Sequence, residues 1–306
     1  MFWIKRPFSW IFSFFVLSFI PNKVWSAACC GGGFAAPSLI SSDDKAQLTS
    51  SLSYVDVVVA NVDSQGIWRR WESQQRVQTF RLEGAHVFWD RFQAGFSLPV
   101  IERRQQTDRY AGLGDVSTSV GYEYLPDWDY NPYRPKGIGF LQLTFPTGKS
   151  RADSEVGGLD SRGNGFWALG VGTLLTKTWS RWDAFLNFEA HRSFSKEVSN
   201  SQVDGTLEPG FGGNLGWGAG YNLQNYRIGS SLTWTYEDAV AIRSRTGLNS
   251  DGAIERFATA VLSFTYMASD EWASTLNYTD QTLFGSPVNT SLGRGLAFQL
   301  QRRWGR

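Results

Sequence analysis

The feature that most restricts the fold is a strict alternation of side chains on both sides of a short turn, in residues 215–236. Apolar residues occupy every second position, and glycine, serine, threonine or arginine lie between them, which is the period of a β-strand. The aromatic residues concentrate at the strand ends, as Tyr226 and Trp234 do, whereas a soluble sheet has no reason to place them there. The strand segment from Tyr226 to Trp234 would extend about 27 Å, or roughly 20 Å across a membrane at a tilt of about 40°. The pattern predicts membrane-spanning strands.

Composition excludes the other way of crossing a bilayer. The 306 residues include 32 glycines and 14 tryptophans, aromatic residues make up 15%, and mean hydropathy is only −0.27. Beyond the extreme N-terminus there is no run of ~18 apolar residues, which excludes a helical span. A closed β-barrel is the remaining solution.

Charge, cysteine and histidine usage narrow the possible partners and cofactors. The net charge of +1 and the lack of a basic stripe argue against nucleic acid. The cysteines, Cys29 and Cys30, are adjacent, so neither a disulfide framework nor a cysteine metal site is expected in the body of the chain. With only His86 and His191, a multi-histidine zinc site is not expected either. We predict no cofactor and no metal.

The N-terminus has the layout of a secretory signal peptide, with Lys5 and Arg6 before an apolar run and small residues at 26–28. We predict a signal peptide at 1–28, a leader at 29–46 that lies in the periplasm or plugs the barrel, and a barrel at 47–306. Cleavage is expected before Ala27 or before Cys29. The second site resembles a bacterial lipobox, in which Cys29 would be lipidated, although serine stands where leucine is usual.

Alternation bounded by turn residues predicts an all-β fold, a transmembrane antiparallel up-and-down β-barrel of about twelve strands. The strands are predicted at 47–59, 76–88, 92–103, 115–125, 137–145, 165–177, 181–191, 212–221, 226–236, 256–267, 272–283 and 295–304. Long extracellular loops alternate with short periplasmic turns, and only 126–136 is long for such a turn. Asp56, set among valines, indicates a bulge in the first strand.

The same alternation predicts which residues face lipid and which face the lumen. Outward sets are clearest around Phe92, Val120, Trp182, Leu262 and Leu276, and the second strand places His86 outward. The predicted lumen-lining residues are the charged or titratable ones on the opposite faces. They are Arg81, Glu83, Arg103, Glu123, Asp183, Glu189, His191 and Arg227.

The last strand ends at an aromatic residue, Trp304, and resembles the terminal signal that the outer-membrane barrel assembly machinery reads. Gly305 and Arg306 follow it, which departs from that pattern. Arg302 falls on the lipid-facing register, where a long side chain near the interface can extend to water. We expect the assembly machinery as a partner through this strand.

Three short motifs resemble one family of outer-membrane barrels, named for the meta pathway of phenol degradation, whose members are treated as transporters. They are Gly112-Leu113-Gly114-Asp115, Tyr124-Leu125-Pro126 and Phe145-Pro146-Thr147-Gly148, within residues 103–148. The resemblance implies passage of small molecules, apolar ones included, and supplies no catalytic residue. Turn chemistry at strand ends explains the Gly-Asp and Pro-Thr-Gly motifs equally well.

The sequence therefore predicts a monomeric channel or transporter for small-molecule solutes, in contact with outer-membrane lipid and without a chemical step. Twelve strands of normal tilt leave a lumen roughly 10 Å wide, which favours selective passage over a general porin. The alternative is a non-conducting structural or surface-binding barrel, whose loops bind a partner or anchor the envelope. A lateral route for apolar molecules would need a kink or gap in the wall.

Two further possibilities rest on small groups of residues. An esterase would need a nucleophile beside a histidine, and His191 with Ser193 is the only candidate group. Asp153, Glu155 and Asp160 in one loop would suit Ca²⁺, but solvated loop charge accounts for them as well.

Overall fold

The structure, a computed structural model, describes residues 37–70, 74–129, 131–200, 204–245 and 249–305. The predicted signal peptide, Cys29 and Cys30 lie outside these ranges. Within the described part of the chain, no helix is long and apolar enough to cross a membrane.

The described ranges contain eighteen β-strands. In chain order they are β1 (Asp44–Val62), β2 (Trp68–Arg69), β3 (Gln75–Phe88), β4 (Phe92–Gln105), β5 (Asp108–Leu113), β6 (Val116–Leu125), β7 (Lys136–Phe145), β8 (Ala168–Trp179), β9 (Trp182–Ser193), β10 (Lys196–Ser199), β11 (Asp204–Glu208), β12 (Phe211–Leu223), β13 (Tyr226–Glu237), β14 (Ala241–Ser244), β15 (Ser250–Asp251), β16 (Glu255–Met267), β17 (Trp272–Asp280) and β18 (Thr290–Gly305).

Twelve of these strands form a closed antiparallel barrel, which confirms the predicted fold class. Going round the wall, the order is β1, β3, β4, β6, β7, β8, β9, β12, β13, β16, β17 and β18. The ring closes where β1 pairs with β18, from Asp44 opposite Gly305 to Val62 opposite Thr290. Closure removes the free sheet edges that a bilayer could not hydrogen-bond.

The barrel is apolar outside and polar inside, the reverse of a soluble protein. Trp182 and Leu262 on the outer face are each 57% exposed, and aromatic residues surround both ends of the strands. The inner face buries Gln93, Glu123 and Glu189 instead. An exterior of this kind is stable only in lipid, so the barrel is a transmembrane one.

Short turns join strands at the end opposite the long loops, as predicted. The β12–β13 turn has two residues, since Leu223 pairs with Tyr226. The β3–β4 turn places Trp89 and Asp90 in the left-handed region, with φ of 51° and 60°. Two consecutive residues of this kind match the right-handed twist of the flanking strands.

The segment predicted as an unusually long turn, residues 126–136, packs along the rim at this end. The Trp179 indole donates a hydrogen bond to the carbonyl oxygen of Pro132 at 2.7 Å. Lys177 lies 3.2 Å from Asp127, and the Arg91 guanidinium lies 4.3 Å from the centre of the Trp128 ring. These contacts hold the segment, which is too long for a tight turn, against neighbouring residues of the barrel.

The first strand contains the predicted irregularity. Its register against β18 shifts between Val57 and Val59 and again before Val62. Asp56 lies just below this bulge and pairs with Arg76 on β3 at 3.3 Å.

The long loops contain strands that the alternation did not predict. β10, β11, β14 and β15 form a second, four-stranded sheet within the segments predicted as loops 192–211 and 237–255. β5 forms a hairpin with β4 inside the segment predicted as loop 104–114. Such strands are too short for a period-two pattern to distinguish them from loops.

Candidate functional site

The lumen contains a cavity of about 310 Å³ in the half nearer the long loops. Serine, threonine and glutamine side chains form much of its lining. The charged residues come from two sides: Arg81 and Arg103 on β3 and β4, and Glu237 and Glu255 on β13 and β16.

The lumen face of β3 and β4 is called here the arginine wall. Arg103 is only 3% exposed, and Arg81 is partly buried. The Nε atom of each is buried and has no hydrogen-bond partner among the described residues. Glu83, on the same face, accepts a hydrogen bond from Ser97 at 3.5 Å.

The lumen face of β9, β12 and β13, called here the bridged wall, pairs its charges with one another. Arg227 on β13 reaches Asp183 on β9 with two hydrogen bonds, of 2.6 and 2.8 Å. Asn222 donates a third hydrogen bond to Asp183 at 2.8 Å. Gly220 on β12 lies between the two partners, and a Cβ there would collide with the guanidinium.

A second bridge of the same kind lies nearer the long loops. His191 Nδ1 lies 3.0 Å from Glu189, and its Nε2 lies 3.1 Å from Glu237 on β13. Asn214 donates to Glu189 at 3.0 Å. Gly212 is the residue of β12 between His191 and Glu237, and a Cβ there would collide with both. The alternating glycines of β12 therefore allow charges of β9 and β13 to meet across it.

The opposite end of the lumen is occupied by the segment that precedes β1. Gln93 accepts a hydrogen bond from the Ile40 amide at 2.7 Å and donates one to its carbonyl at 3.3 Å. Ile40 is 2% exposed and packs with Ala85 and Val87. Lys136 contacts the Ser42 carbonyl at 3.4 Å. Residues 37–43 thus narrow the lumen at this end.

Of the predicted lumen-lining residues, the structure brings together Asp183 with Arg227, and Glu189 with His191. Glu123 lies 3.5 Å from Lys136 near the segment 37–43. Arg81 and Arg103 line the cavity.

Sequence analysis missed Glu237, Glu255 and Lys136, because it placed all three in connections between strands. Continuing the alternation would have found Glu237, since Thr233, Thr235 and Glu237 fall on one face of β13.

The wall is interrupted beside β5. β4 pairs with β6 as far as Ser97 opposite Ser117, then with β5 from Val100 opposite Leu113. Among the described residues β5 pairs with β4 alone, while β7 ends at Phe145. The wall therefore has a gap in its hydrogen-bonded ladder above Gly114.

Residues 146–167, called here the cover loop, lie over this gap. Asp115 accepts hydrogen bonds from the backbone amides of Gly148 at 2.9 Å, Asn164 at 2.7 Å and Gly165 at 3.3 Å. Arg162 donates to the Ala111 carbonyl of β5 at 3.3 Å. Asp115, in one of the motifs singled out above, thus fixes both ends of the loop.

The three acidic residues considered for Ca²⁺ lie in the cover loop, where each of them has a basic partner. Asp153 lies 2.7 Å from Lys196 of β10. Asp160 lies 2.5 Å from Lys149, which also lies 3.5 Å from Glu155. Although burial alone would raise the pKa of Asp160, hydrogen bonds from Lys149 and Ser154 hold it at about 2. In the described ranges, no three histidine, cysteine or acidic residues cluster as metal ligands.

Fold and lumen together define a transmembrane β-barrel. No family model and no curated protein matches the chain. Its structure is similar to that of the COG4313 outer membrane channel from Pseudomonas putida F1, with a TM-score of 0.68 and 14% identity over 88% of this chain and 97% of that one. It is also similar to the transport unit of the autotransporter AIDA-I from Escherichia coli, with a TM-score of 0.51 and 6% identity over 89% and 94%. Identities this low establish the fold alone.

Proposed function

We propose that this chain is a monomeric outer-membrane channel that passes small solutes through its polar lumen without a chemical step. The observation that supports this best is the cavity of about 310 Å³ with arginines on one side and carboxylates on the other. A barrel with only a structural role gains nothing from charged groups around an internal cavity, because buried charges are costly.

The width of the path favours selective passage. Twelve strands leave little space between opposite walls, and residues 37–43 take up part of it at one end. The predicted lumen-lining residues Arg81 and Arg103 then create an electric field along the path, together with Glu237 and Glu255 on another side of the cavity.

The motifs that resemble the meta-pathway barrel family support small and partly apolar solutes. We place the barrel in the outer membrane, with lipid around its apolar band and with the assembly machinery binding β18 through Trp304. An esterase is disfavoured because both ring nitrogens of His191 contact carboxylates, which leaves neither to activate Ser193.

Single-channel recording of the purified protein in planar bilayers tests the proposal. We expect discrete conductance steps, and Gln93→Ala should enlarge them because it removes both hydrogen bonds that hold Ile40 in the lumen. Gln78→Ala, an exposed position on the outer face of β3, is the matched control. If neither wild type nor Gln93→Ala passes current, the non-conducting alternative is correct.

A second candidate function, a lateral route for apolar solutes, is favoured by the gap beside β5. Asp115→Ala removes the acceptor of three cover-loop amides, and we expect it to change the uptake of toluene into proteoliposomes without altering ion current. Asp108→Ala, at the exposed hairpin tip, is the control. Equal toluene uptake by all three proteins would eliminate this route.

A further inference from the structure

Arg81 and Arg103 of the arginine wall differ from Arg227 of the bridged wall. Arg227 has a carboxylate partner at 2.6 Å, whereas the Nε atoms of Arg81 and Arg103 have no hydrogen-bond partner within the described residues. Arg103 is nevertheless 97% buried, since only 3% of its surface is exposed, and it lines the cavity. A buried guanidinium without an anion is costly, and it forms strong, paired hydrogen bonds with a carboxylate that reaches it.

The surface beside Arg103 is apolar. Val77 on β3 lies opposite Arg103 on β4, and Val55 on β1 lies opposite Val77. Val57 and Phe257 line the same cavity. If the carboxylate of a molecule binds Arg103, its hydrocarbon part would therefore contact these valines instead of being exposed to water.

The two arginines lie at different heights. Arg81 pairs with Pro99, which is four residues from Arg103 along β4, or about 13 Å farther from the long loops. Glu237 and Glu255 lie on another side of the cavity. The cavity thus has two poles, and an anion is drawn to the side that Arg81 and Arg103 line.

We propose that the lumen has a binding site for a small organic monocarboxylate, with Arg103 holding the carboxylate and Val55 and Val77 holding its apolar part. Arg81 would provide the next binding position for the carboxylate, farther from the long loops. This proposal rests on the proposed function, because it names the class of solute that the channel admits. A cavity of about 310 Å³ is at the lower end of the range for small-molecule sites, ~300–1,000 Å³.

Calorimetric titration of the purified full-length protein with benzoate tests the site directly. Benzyl alcohol, which has the same ring without the charge, is the ligand control. We expect benzoate to bind and benzyl alcohol to bind about tenfold more weakly, because a charge-assisted hydrogen-bond pair is lost. Arg103→Gln should weaken the binding of benzoate about tenfold, and Arg103→Lys should weaken that binding less because the charge remains.

Arg104→Gln is the matched protein control, since the same residue type lies one position along β4 on the exposed outer face. It should bind benzoate as the wild type does. Heat-dependent gel mobility shows whether each variant is folded, and Arg81→Gln provides a second lumen variant with an expected smaller loss. Equal benzoate affinity in wild type, Arg103→Gln and Arg104→Gln would overturn the site.

Block of single-channel current by benzoate separates this proposal from the proposed function. Binding that depends on Arg103 in a protein without conductance would retain the site and reject the channel. Conductance without Arg103-dependent binding or block would retain the channel and reject the site.

Discussion

The arginine wall and the bridged wall both contain charged side chains, but they differ in whether a neighbouring strand supplies a partner of opposite charge. On the bridged wall, Asp183 meets Arg227 and His191 meets Glu237, each across a glycine of β12, and Glu189 contacts His191 from the same strand. On the arginine wall, Arg103 faces the cavity without a carboxylate partner among the described residues, and Arg81 has Glu83 of its own strand nearby. The difference teaches that a charge inside a barrel stabilises it where a neighbouring strand supplies the counter-charge, and is available to a solute where none does.

The largest effect is expected on the bridged wall. Asp183→Asn leaves Arg227 without its counter-charge in a partly buried site, which should lower the free energy of unfolding by about 2–3 kcal/mol. Urea unfolding in detergent measures it. The double variant Asp183→Asn with Arg227→Gln should recover part of the loss. No loss in the single variant would mean that the pair does not stabilise the wall.

The glycines of β12 give the next test. Gly220→Ala places a Cβ against the Arg227 guanidinium, and displacing a side chain that Asp183 holds should cost about 1–2 kcal/mol. Gly216→Ala, on the same face of β12, would place its Cβ no closer than 3.2 Å to another residue, Thr233, and serves as control. Equal unfolding midpoints for the two variants would show that the bridges do not need the glycine.

The contribution of the cover loop to the free energy of unfolding should depend on pH. The pKa of Asp160 in the folded protein, about 2, is below its ordinary value of 3.8, so its contribution is present above pH 3.8 and is lost as the pH falls toward 2. At neutral pH, Asp160→Asn should therefore lower the free energy of unfolding by at most about 2 kcal/mol. The difference between variant and wild type should vanish near pH 2. A difference that persists there would contradict the assignment.

On the arginine wall, removing a charge should not lower the free energy of unfolding, in contrast to the bridged wall. Arg103→Gln removes a buried charge that has no partner, so the free energy of unfolding should stay constant or rise by about 1 kcal/mol. Urea unfolding without added carboxylate checks it. A loss as large as that of Asp183→Asn would mean that Arg103 has a structural partner, and the contrast between the walls would fail.

The smallest effect is expected on the outer face of the barrel wall, at a pair on β1 and β3. Asp56 and Arg76 are 3.3 Å apart, with side chains 33% and 45% exposed. Exposed pairs contribute little, so Asp56→Asn should change the free energy of unfolding by less than about 0.5 kcal/mol. A larger change would show that exposure to solvent does not explain the ranking.

Most of the wall could be predicted from the sequence, and most of the site could not. Alternation predicted the outer face of β9, including Trp182 and Leu186, because neighbouring side chains of a strand point to opposite sides. It also placed Arg103 and Glu189 on the lumen side. It did not show that only one of them has a partner, since that depends on what neighbouring strands bring alongside.

The sequence by itself determined the twelve strands of the wall, their faces and the closed barrel, because each follows from a two-residue period and from the need to pair every backbone group in lipid. The tertiary structure decided which charges meet. Glu237 reaches His191 only through the register of β12 between them, and Asp115 binds residues of the cover loop about 50 positions away. Such contacts join distant parts of the chain, and no local period encodes them.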